Sequence, residues 1–313
     1  DGNAVANTTM GLFSTTTTEF TKDTAYLVSK TDENGTFVFD NVPYGDYIVR
    51  EIEAPEGFVL SEKSTPVSVT DNAQTVEIKV LNSIITGNVT VTKVDKEYKD
   101  KNIAGAVFDI YLDVNANGTY DEGVDTYYGT MTDNHDGTYI AEGLRYNGYF
   151  LHEKTAPYGM TLNNIPQYVT LSYAGQNESI VSDSVSFTNE RQKATVTVDK
   201  LLEKDDLYNI GNADEITNVK FGLYANENIL ADDNTVLPKD GLIEIASADK
   251  DGHIIFNSGI PLGKYYVKEV STDKHYIPSD VKYPVEFNYA GQSVLAVTVT
   301  ANDGNAVEND IIR

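Results

Sequence analysis

The sequence contains no cysteine and no tryptophan. Without cysteine no disulfide can close a domain, so any covalent stabilisation must come from other side chains. Basic residues are also scarce: 23 Lys and Arg stand against 48 Asp and Glu, which gives a formal net charge of −25. Binding to phosphates requires clustered cations, so this charge balance excludes a nucleic-acid partner.

Long apolar runs are absent as well. No stretch reaches the ~20 apolar residues that a membrane-spanning helix requires, so we expect no membrane insertion. A sustained helical period is also missing, whereas short runs of Val, Thr and Tyr alternate with turns rich in Gly, Asn and Asp. This pattern predicts an all-β chain.

One strand-like stretch occurs three times. It reads YIVREIEAPEGF from Tyr47, YFLHEKTAPYGM from Tyr149 and YYVKEVSTDKHY from Tyr265. The copies are separated by far more residues than the repeats of a solenoid, which indicates tandem domains.

The repeat register places three domains at 1–86, 87–190 and 191–313, called domains 1, 2 and 3 below. The number of strand-forming runs and turn signals in each suits an immunoglobulin-like β-sandwich. The connecting segments are short, so we expect an extended rod with limited hinge motion.

Each repeat carries a glutamate at its fifth position: Glu51, Glu153 and Glu269. Strand side chains alternate between faces, so the glutamate shares a face with apolar residues and should point into the core. Lysine and asparagine follow the same rule at the domain ends. Lys93 and Lys200 lie on the apolar face of a first strand, and Asn82, Asn189 and Asn309 on that of a last strand. A single such residue is usually an ordinary snorkelling side chain or ion pair, but their joint recurrence favours a shared site.

Lysine, glutamate and asparagine gathered in a dry core can react. Burial lowers the pKa of lysine and raises that of glutamate. The neutral amine is then a nucleophile, and the protonated acid can polarise the asparagine carbonyl and relay protons while ammonia leaves. The product would be an isopeptide bond between the first and last strands. Glu153 and Glu269 would be its proton shuttles. Because each site would react only once and within its own domain, we expect no enzyme activity on other molecules and no required cofactor.

The chain resembles tandem Cna B-type (SpaA-like) domains of Gram-positive surface adhesins and pilins. The matching features are the lysine of VTVTKVD, the E-x-x-AP-x-G segment around Glu51 and Glu153, and a terminal F-x-N or V-x-N. The third repeat departs from the pattern at STDKHY, where AP-x-G is missing.

The resemblance implies spontaneous Lys93–Asn189 and Lys200–Asn309 isopeptide bonds. It further implies a structural stalk segment of an extracellular, cell wall-anchored adhesin, with sortase and the cell wall reached through other parts of the parent protein.

Domain 1 has no lysine at the matching position. Glu51 and Asn82 are present, but the matching lysine would precede residue 1. Either the first strand of this domain is truncated or its cross-link partner belongs to residues outside the sequence. We expect truncation.

A second candidate site is the segment DVNANGTYDEGVD. Asp113, Asn115, Asn117 and Asp121 follow the alternating ligand positions of a calcium loop, although Val124 replaces its final acid. The same composition is typical of an ordinary hairpin loop, so a possible calcium site and a simple turn stay equally open.

Two other functions compete with the stalk. The 21 tyrosines would suit a ligand-binding adhesin module that recognises a host surface protein or glycan. A pilin subunit is the other alternative, although VKYPVEF has no lysine after Tyr283 and Pro284. The four histidines show no metal-ligand or catalytic spacing.

Overall fold

The computed structural model describes residues 3–231 and 235–313. Over these ranges the chain consists of β-strands, with two short 3₁₀ helices in domain 3, so the all-β prediction is confirmed. None of the helices in the described ranges is both long and apolar enough to cross a membrane.

Domain 1 is built around a single sheet. Its strands are β1 (Thr9–Ser14), β2 (Leu27–Lys30), β3 (Gly45–Glu53), β4 (Phe58–Val59), β5 (Thr65–Val69) and β6 (Ser83–Ile84). Four of them form the sheet in the order β2-β1-β3-β5, and β4 pairs separately with β6.

Domain 2 is a complete two-sheet sandwich. Its strands are β7 (Thr86–Asp95), β8 (Val107–Leu112), β9 (Thr126–Thr130), β10 (Thr132–Asp133), β11 (Thr138–Leu144), β12 (Gly148–Thr155), β13 (Gln167–Thr170) and β14 (Ile180–Asn189). The sheets have the orders β10-β11-β7-β14 and β13-β12-β8-β9. The first strand, β7, therefore lies between β11 and the last strand, β14.

Domain 3 repeats this plan with insertions. Its strands are β15 (Lys193–Leu202), β16 (Lys220–Ala225), β17 (Ile229–Leu230), β18 (Val236–Leu237), β19 (Leu242–Ser247), β20 (His253–Phe256), β21 (Gly263–Ser271), β22 (Lys282–Phe287), β23 (Ala296–Thr300) and β24 (Val307–Asn309), and its 3₁₀ helices are Asp214–Asn218 and Asn302–Gly304. One sheet has the order β20-β15-β23 with β24 also paired to β15, and the other has the order β19-β16-β21-β22.

Segments 36–42 and 74–82 of domain 1 have the residue pattern of strands, and Asn82 was expected on a last strand, but neither segment forms a strand, so this prediction was wrong. Their counterparts in domain 2 are β11 and β14, which both hydrogen-bond to β7. Domain 1 has no counterpart of β7 among the described residues, and without it the two segments have no ladder to join.

The first and last strands of domains 2 and 3 run parallel to each other. In domain 2, β14 pairs with β7 so that Phe187 lies opposite Lys93 and Asn189 lies opposite Asp95. In domain 3, β24 pairs with β15 in the same offset, with Asn309 opposite Leu202, two residues after the lysine. The fold thus brings the predicted lysine and asparagine onto neighbouring strands.

Each domain has its own apolar core. The cores of domains 2 and 3 fill the space between their two sheets and include Phe108 and Phe187 in domain 2 and Phe221 and Phe256 in domain 3. Domain 1 has a smaller buried cluster that contains Met10. Separate cores are what a chain of tandem domains requires.

Candidate functional site

The three repeated glutamates are buried, as strand alternation predicted. Glu51, Glu153 and Glu269 are 1%, 4% and 5% exposed. Each lies on one of the two central strands of its four-stranded sheet, in register with an apolar residue of the other central strand. These residues are Met10, Phe108 and Phe221.

Lys93, Glu153 and Asn189 meet in the core of domain 2. The side-chain amide nitrogen of Asn189 donates a hydrogen bond to Oε1 of Glu153 at 2.9 Å. Nζ of Lys93 donates to Oδ1 of Asn189 and lies 3.6 Å from Oε1 of Glu153. The amine, acid and amide are therefore in mutual contact, although Lys93 and Asn189 are 96 residues apart in the chain.

Burial perturbs both titratable groups of this site. Burial lowers the pKa of Lys93 to about 8, against the opposing attraction of the Glu153 carboxylate. Burial also raises the pKa of Glu153, which the charge of Lys93 opposes. Both shifts favour the neutral forms of the side chains, so an uncharged amine is accessible near neutral pH.

Aromatic rings enclose the site in domain 2. The ring centroid of Phe108 lies 4.8 Å from that of Phe187 and 4.9 Å from that of Tyr139. All three side chains are at most 1% exposed. Phe108 lies opposite Glu153 and Phe187 lies opposite Lys93 in the strand pairing, so these rings belong to the dry surroundings whose desolvation shifts both pKa values.

Domain 3 gathers the same residue types in a different arrangement. The amide nitrogen of Asn309 donates to Oε1 of Glu269 at 2.8 Å and to Oγ1 of Thr272 at 3.1 Å. Nζ of Lys200, however, donates to the carbonyls of Leu201 and Val307, both at 2.9 Å. Within the described chain, Oδ1 of Asn309 is buried and has no hydrogen-bond partner. Burial lowers the pKa of Lys200 to about 8 as well.

Domain 1 has the acid and the amide only. The amide nitrogen of Asn82 donates to Oε1 of Glu51 at 2.6 Å, and burial raises the pKa of this glutamate. No lysine of the described ranges forms an ion pair with Glu51, and the nearby Lys22 binds Glu53 instead. The pair therefore has no nucleophile within the described structure.

A backbone contact that the sequence analysis missed holds each glutamate in place. The N–H of the residue ten positions later donates to its Oε2. The donors are Ser61, Asn163 and Ser279, at 2.9, 2.8 and 2.6 Å. The constant spacing in all three repeats was the available signal. In each repeat Oε1 of the glutamate accepts the asparagine amide, and in domain 3 Oε2 accepts it as well.

The segment proposed as a calcium loop is closed by its own hydrogen bonds. Asp113 is 1% exposed, and its Oδ2 accepts the N–H of Gly118 at 2.9 Å. Oδ2 of Asp121 accepts the side-chain amides of Asn115 at 3.0 Å and Asn117 at 2.7 Å. The fold thus brings together the side chains of Asn115, Asn117 and Asp121, whereas the carboxylate of Asp113 accepts backbone N–H groups and the hydroxyl of Tyr168.

The acidic residues of this loop do not form a ready cation cage. Across residues 3–231 and 235–313, no group of three or more Asp, Glu or His side chains is placed to hold a metal ion. Asp125, one position after Val124, accepts the N–H of Asp121 at 2.8 Å. Calcium at this loop would therefore have to replace hydrogen bonds or use the amide oxygens of the asparagines.

A family model matches all three repeats. The model is SpaA, described as a prealbumin-like fold domain, and it matches residues 1–84, 87–185 and 206–304. These matches cover most of the chain.

Individual relatives are more distant. Serine-aspartate repeat-containing protein D of Staphylococcus aureus strain Newman is 28% identical over 293 residues, which cover 87% of this chain and 21% of that protein. The chain thus spans about a fifth of the length of the curated relatives it matches. Among solved structures, the TIE protein of Bacillus anthracis aligns with 96% of this chain and 48% of its own, at 18% identity and a TM-score of 0.63. At that identity the likeness concerns the fold.

Proposed function

The chain belongs to the SpaA family of prealbumin-like fold domains, and from that premise we propose that it is a structural stalk segment of a Gram-positive cell-surface protein. In this proposal domains 2 and 3 are closed by the isopeptide bonds Lys93–Asn189 and Lys200–Asn309. The observation that carries it is the contact of the Lys93 amine with both Asn189 and Glu153 in a closed apolar core.

The reaction proceeds from the neutral forms of the side chains. Nζ of Lys93 attacks Cγ of Asn189, a C–N bond forms, and the bond from Cγ to the original amide nitrogen breaks. Glu153 takes a proton from the attacking amine and gives one to the departing nitrogen, so that one ammonia leaves and the acid is regenerated.

The position of Glu153 refines its expected role. Of the two expected roles, polarising the asparagine carbonyl and relaying protons to the leaving nitrogen, the geometry favours the second, because Oε1 of Glu153 accepts the side-chain amide N–H of Asn189. We therefore assign its proton to the leaving group. In domain 3 the Lys200 amine would first leave the carbonyls of Leu201 and Val307, and the unpaired Oδ1 of Asn309 favours that step because an unsatisfied buried acceptor is costly.

The proposed bonds suit a protein under tension. The chain enters domain 2 through β7 and leaves it through β14, and the proposed bond joins these two strands directly. Load applied at the ends would pass through covalent bonds instead of separating the strand ladder. Attachment to the cell wall by sortase would be a property of the parent protein.

Two alternatives receive no support from a specific contact. Recognition of a host protein or glycan would use exposed tyrosines, but these are distributed over all three domains, and Tyr139, Tyr149, Tyr265 and Tyr266 are buried in strands. A pilin subunit would share the same domains. We therefore propose the stalk alone, with no catalytic action on other molecules and no required cofactor.

Intact-mass spectrometry tests the proposal. The purified chain should weigh less than its sequence by two ammonia molecules, and Glu153→Gln or Glu269→Gln should each restore the mass of one. Glu51→Gln is the matched control and should leave the deficit at two. A chain with its full sequence mass would refute the proposal.

A further inference from the structure

A glutamine of each later domain binds the domain that precedes it. Oε1 of Gln176 in domain 2 accepts the N–H of Ala54 in domain 1, and Oε1 of Gln292 in domain 3 accepts the N–H of Ala156 in domain 2. Both distances are 2.8 Å. The two glutamines end the same Tyr-Ala-Gly-Gln turn, and the two alanines begin the same Ala-Pro-x-Gly loop.

The backbone of each glutamine makes a second bond to the same loop. The carbonyl oxygen of Gln176 accepts the N–H of Leu60, and that of Gln292 accepts the N–H of Leu162, again at 2.8 Å. Each glutamine therefore satisfies two donors of one loop, one with its side chain and one with its main chain. Two directed bonds from one residue restrict rotation more than a single contact does.

The glycine of the loop gives the next domain room to approach. Gly57 has φ +88°, and a Cβ there would lie 3.0 Å from the ring of Tyr146 in domain 2. Gly159 has φ +83°, and a Cβ there would lie 3.3 Å from Leu262 in domain 3. Glycine thus suits the left-handed backbone, and the neighbouring domain leaves little room for a side chain there.

The equivalent loop of domain 3 lacks these features. Pro278 occupies the position of Leu162 and has no N–H to donate. His275 replaces the glycine, and Thr272 replaces the alanine, with its hydroxyl engaged by Asn309. In the third repeat Pro278 therefore removes one hydrogen-bond donor, and His275 fills the space that glycine leaves for a following domain in the other two repeats.

We propose that the Tyr-Ala-Gly-Gln turn and the Ala-Pro-x-Gly loop form a directional joint that fixes the orientation of consecutive domains. The partner that fits the loop is a SpaA-type domain carrying this turn, and the loop of domain 3 does not accept one. This inference rests on the stalk function and deepens it. Neighbouring domains with small polar contacts move by default, and the joint opposes that motion.

Pairs of spin labels measure this motion directly, and the cysteine-free chain makes the labelling specific. Val28 in domain 1, Glu142 in domain 2 and Ile255 in domain 3 are exposed and suit replacement by cysteine. The pair Val28/Glu142 reports on the first junction, and the pair Glu142/Ile255 reports on the second. We expect one narrow distance distribution for each pair in the otherwise unchanged chain.

Each substitution should affect only the junction in which its residue lies. Gln176→Ala should broaden the distribution at the first junction only, and Gln292→Ala that at the second only. Leu162→Pro, which copies domain 3, should broaden the second. Gln74→Ala is the matched control and should broaden neither, because Oε1 of Gln74 accepts N–H groups of its own turn.

Two results would contradict the proposal of a directional joint. One is a broad distribution in the chain without these substitutions, and the other is narrow distributions in both glutamine variants. The mass of each variant separates this test from that of the stalk function. An ammonia deficit that persists while the distributions broaden confirms that the joint and the isopeptide bonds are independent.

Discussion

Asn189 is placed two residues beyond Lys93 along the parallel pairing of β7 and β14, opposite Asp95. In this register Nζ of Lys93 reaches Oδ1 of Asn189 across the gap between the strands. Domain 3 has the same offset between Lys200 and Asn309. The register of the two strands therefore brings the amine and the amide within reach in both domains, and the side-chain conformation of the lysine then decides whether they touch, because Nζ of Lys200 donates to backbone carbonyls in the same register.

Loss of the cross-link should destabilise domain 2. A closed loop of about 100 residues contributes ~4–5 kcal/mol in the chain-entropy description of cross-links. Glu153→Gln should lower the free energy of unfolding of domain 2 by a similar amount, measured by urea titration with a probe in that domain. Glu51→Gln, in the domain without a lysine, should change the unfolding of domain 2 very little, and an equal loss in both variants would contradict the prediction.

The unlinked protein should become more stable as the pH rises above 8. In the variant Asn189→Ala/Asn309→Ala both lysines stay free amines, with folded pKa values of about 8 against about 10.5 when unfolded. The unfolded state then binds more protons between these values, so stability increases with pH across that window and is flat below it. The increase should be at most ~3 kcal/mol per lysine.

Melting curves between pH 7 and pH 10 measure this effect. The unsubstituted chain is the control, because a lysine in an amide bond no longer titrates. Adding Lys93→Met and Lys200→Met to the double variant should remove the rise. A stability that falls with pH in the double variant would contradict the assignment of two buried amines.

Pulling on single molecules should separate domain 1 from the other two. Residues between Lys93 and Asn189, and between Lys200 and Asn309, are enclosed by the proposed bonds and cannot extend. The unsubstituted chain should therefore show one unfolding event, from domain 1, and Glu153→Gln should add a second. Full extension of all three domains without substitution would contradict the cross-links.

Calcium should raise the melting temperature of domain 2 if the loop from Asp113 to Asp125 binds it. Asp121→Asn should abolish the increase, because this exposed carboxylate already gathers the amides of Asn115 and Asn117. Asp136→Asn, in another exposed turn of the same domain, is the control and should retain it. A melting temperature indifferent to both calcium and chelator would reject the calcium proposal and leave the loop as a hydrogen-bonded turn.

Domain 1 should react with a peptide that supplies its missing lysine. Segments 36–42 and 74–82 correspond to the two neighbours of β7, so a peptide with the sequence of residues 87–96 should bind between them. The expected product is an adduct lighter than its parts by one ammonia, joined at Asn82. A peptide with arginine for lysine, and the variant Asn82→Ala, should both give no adduct; an adduct in either control would contradict the mechanism.

The sequence predicted the burial of the polar residues because strand alternation is a local rule. Glu51, Glu153 and Glu269 could be assigned to the core from their immediate neighbours alone. The same rule misled at segments 36–42 and 74–82. Their residues alternate like those of strands, but a strand also needs a hydrogen-bonding neighbour, and alternation carries no information about whether one is present.

Contacts between distant parts of the chain were beyond the sequence analysis. The partner of Gln176 is Ala54 of another domain, and nothing in the neighbouring sequence of either residue indicates that contact. The orientation of Lys200 toward backbone carbonyls was equally hidden, since a rotamer depends on the packing around it. The residue types at matched positions of the repeats predicted which residues form the site. Which hydrogen bonds these residues make could be read only from the three-dimensional structure.

The parallel pairing of first and last strands affects how the molecule lengthens when one of its domains is duplicated. Because these strands are parallel, the chain enters the domain at one end and leaves it at the opposite end. Each duplicated domain therefore adds its own length to the molecule, ~3.3 Å for each residue of the strand. Gene duplication can then change the reach of such a molecule without a new interface having to evolve.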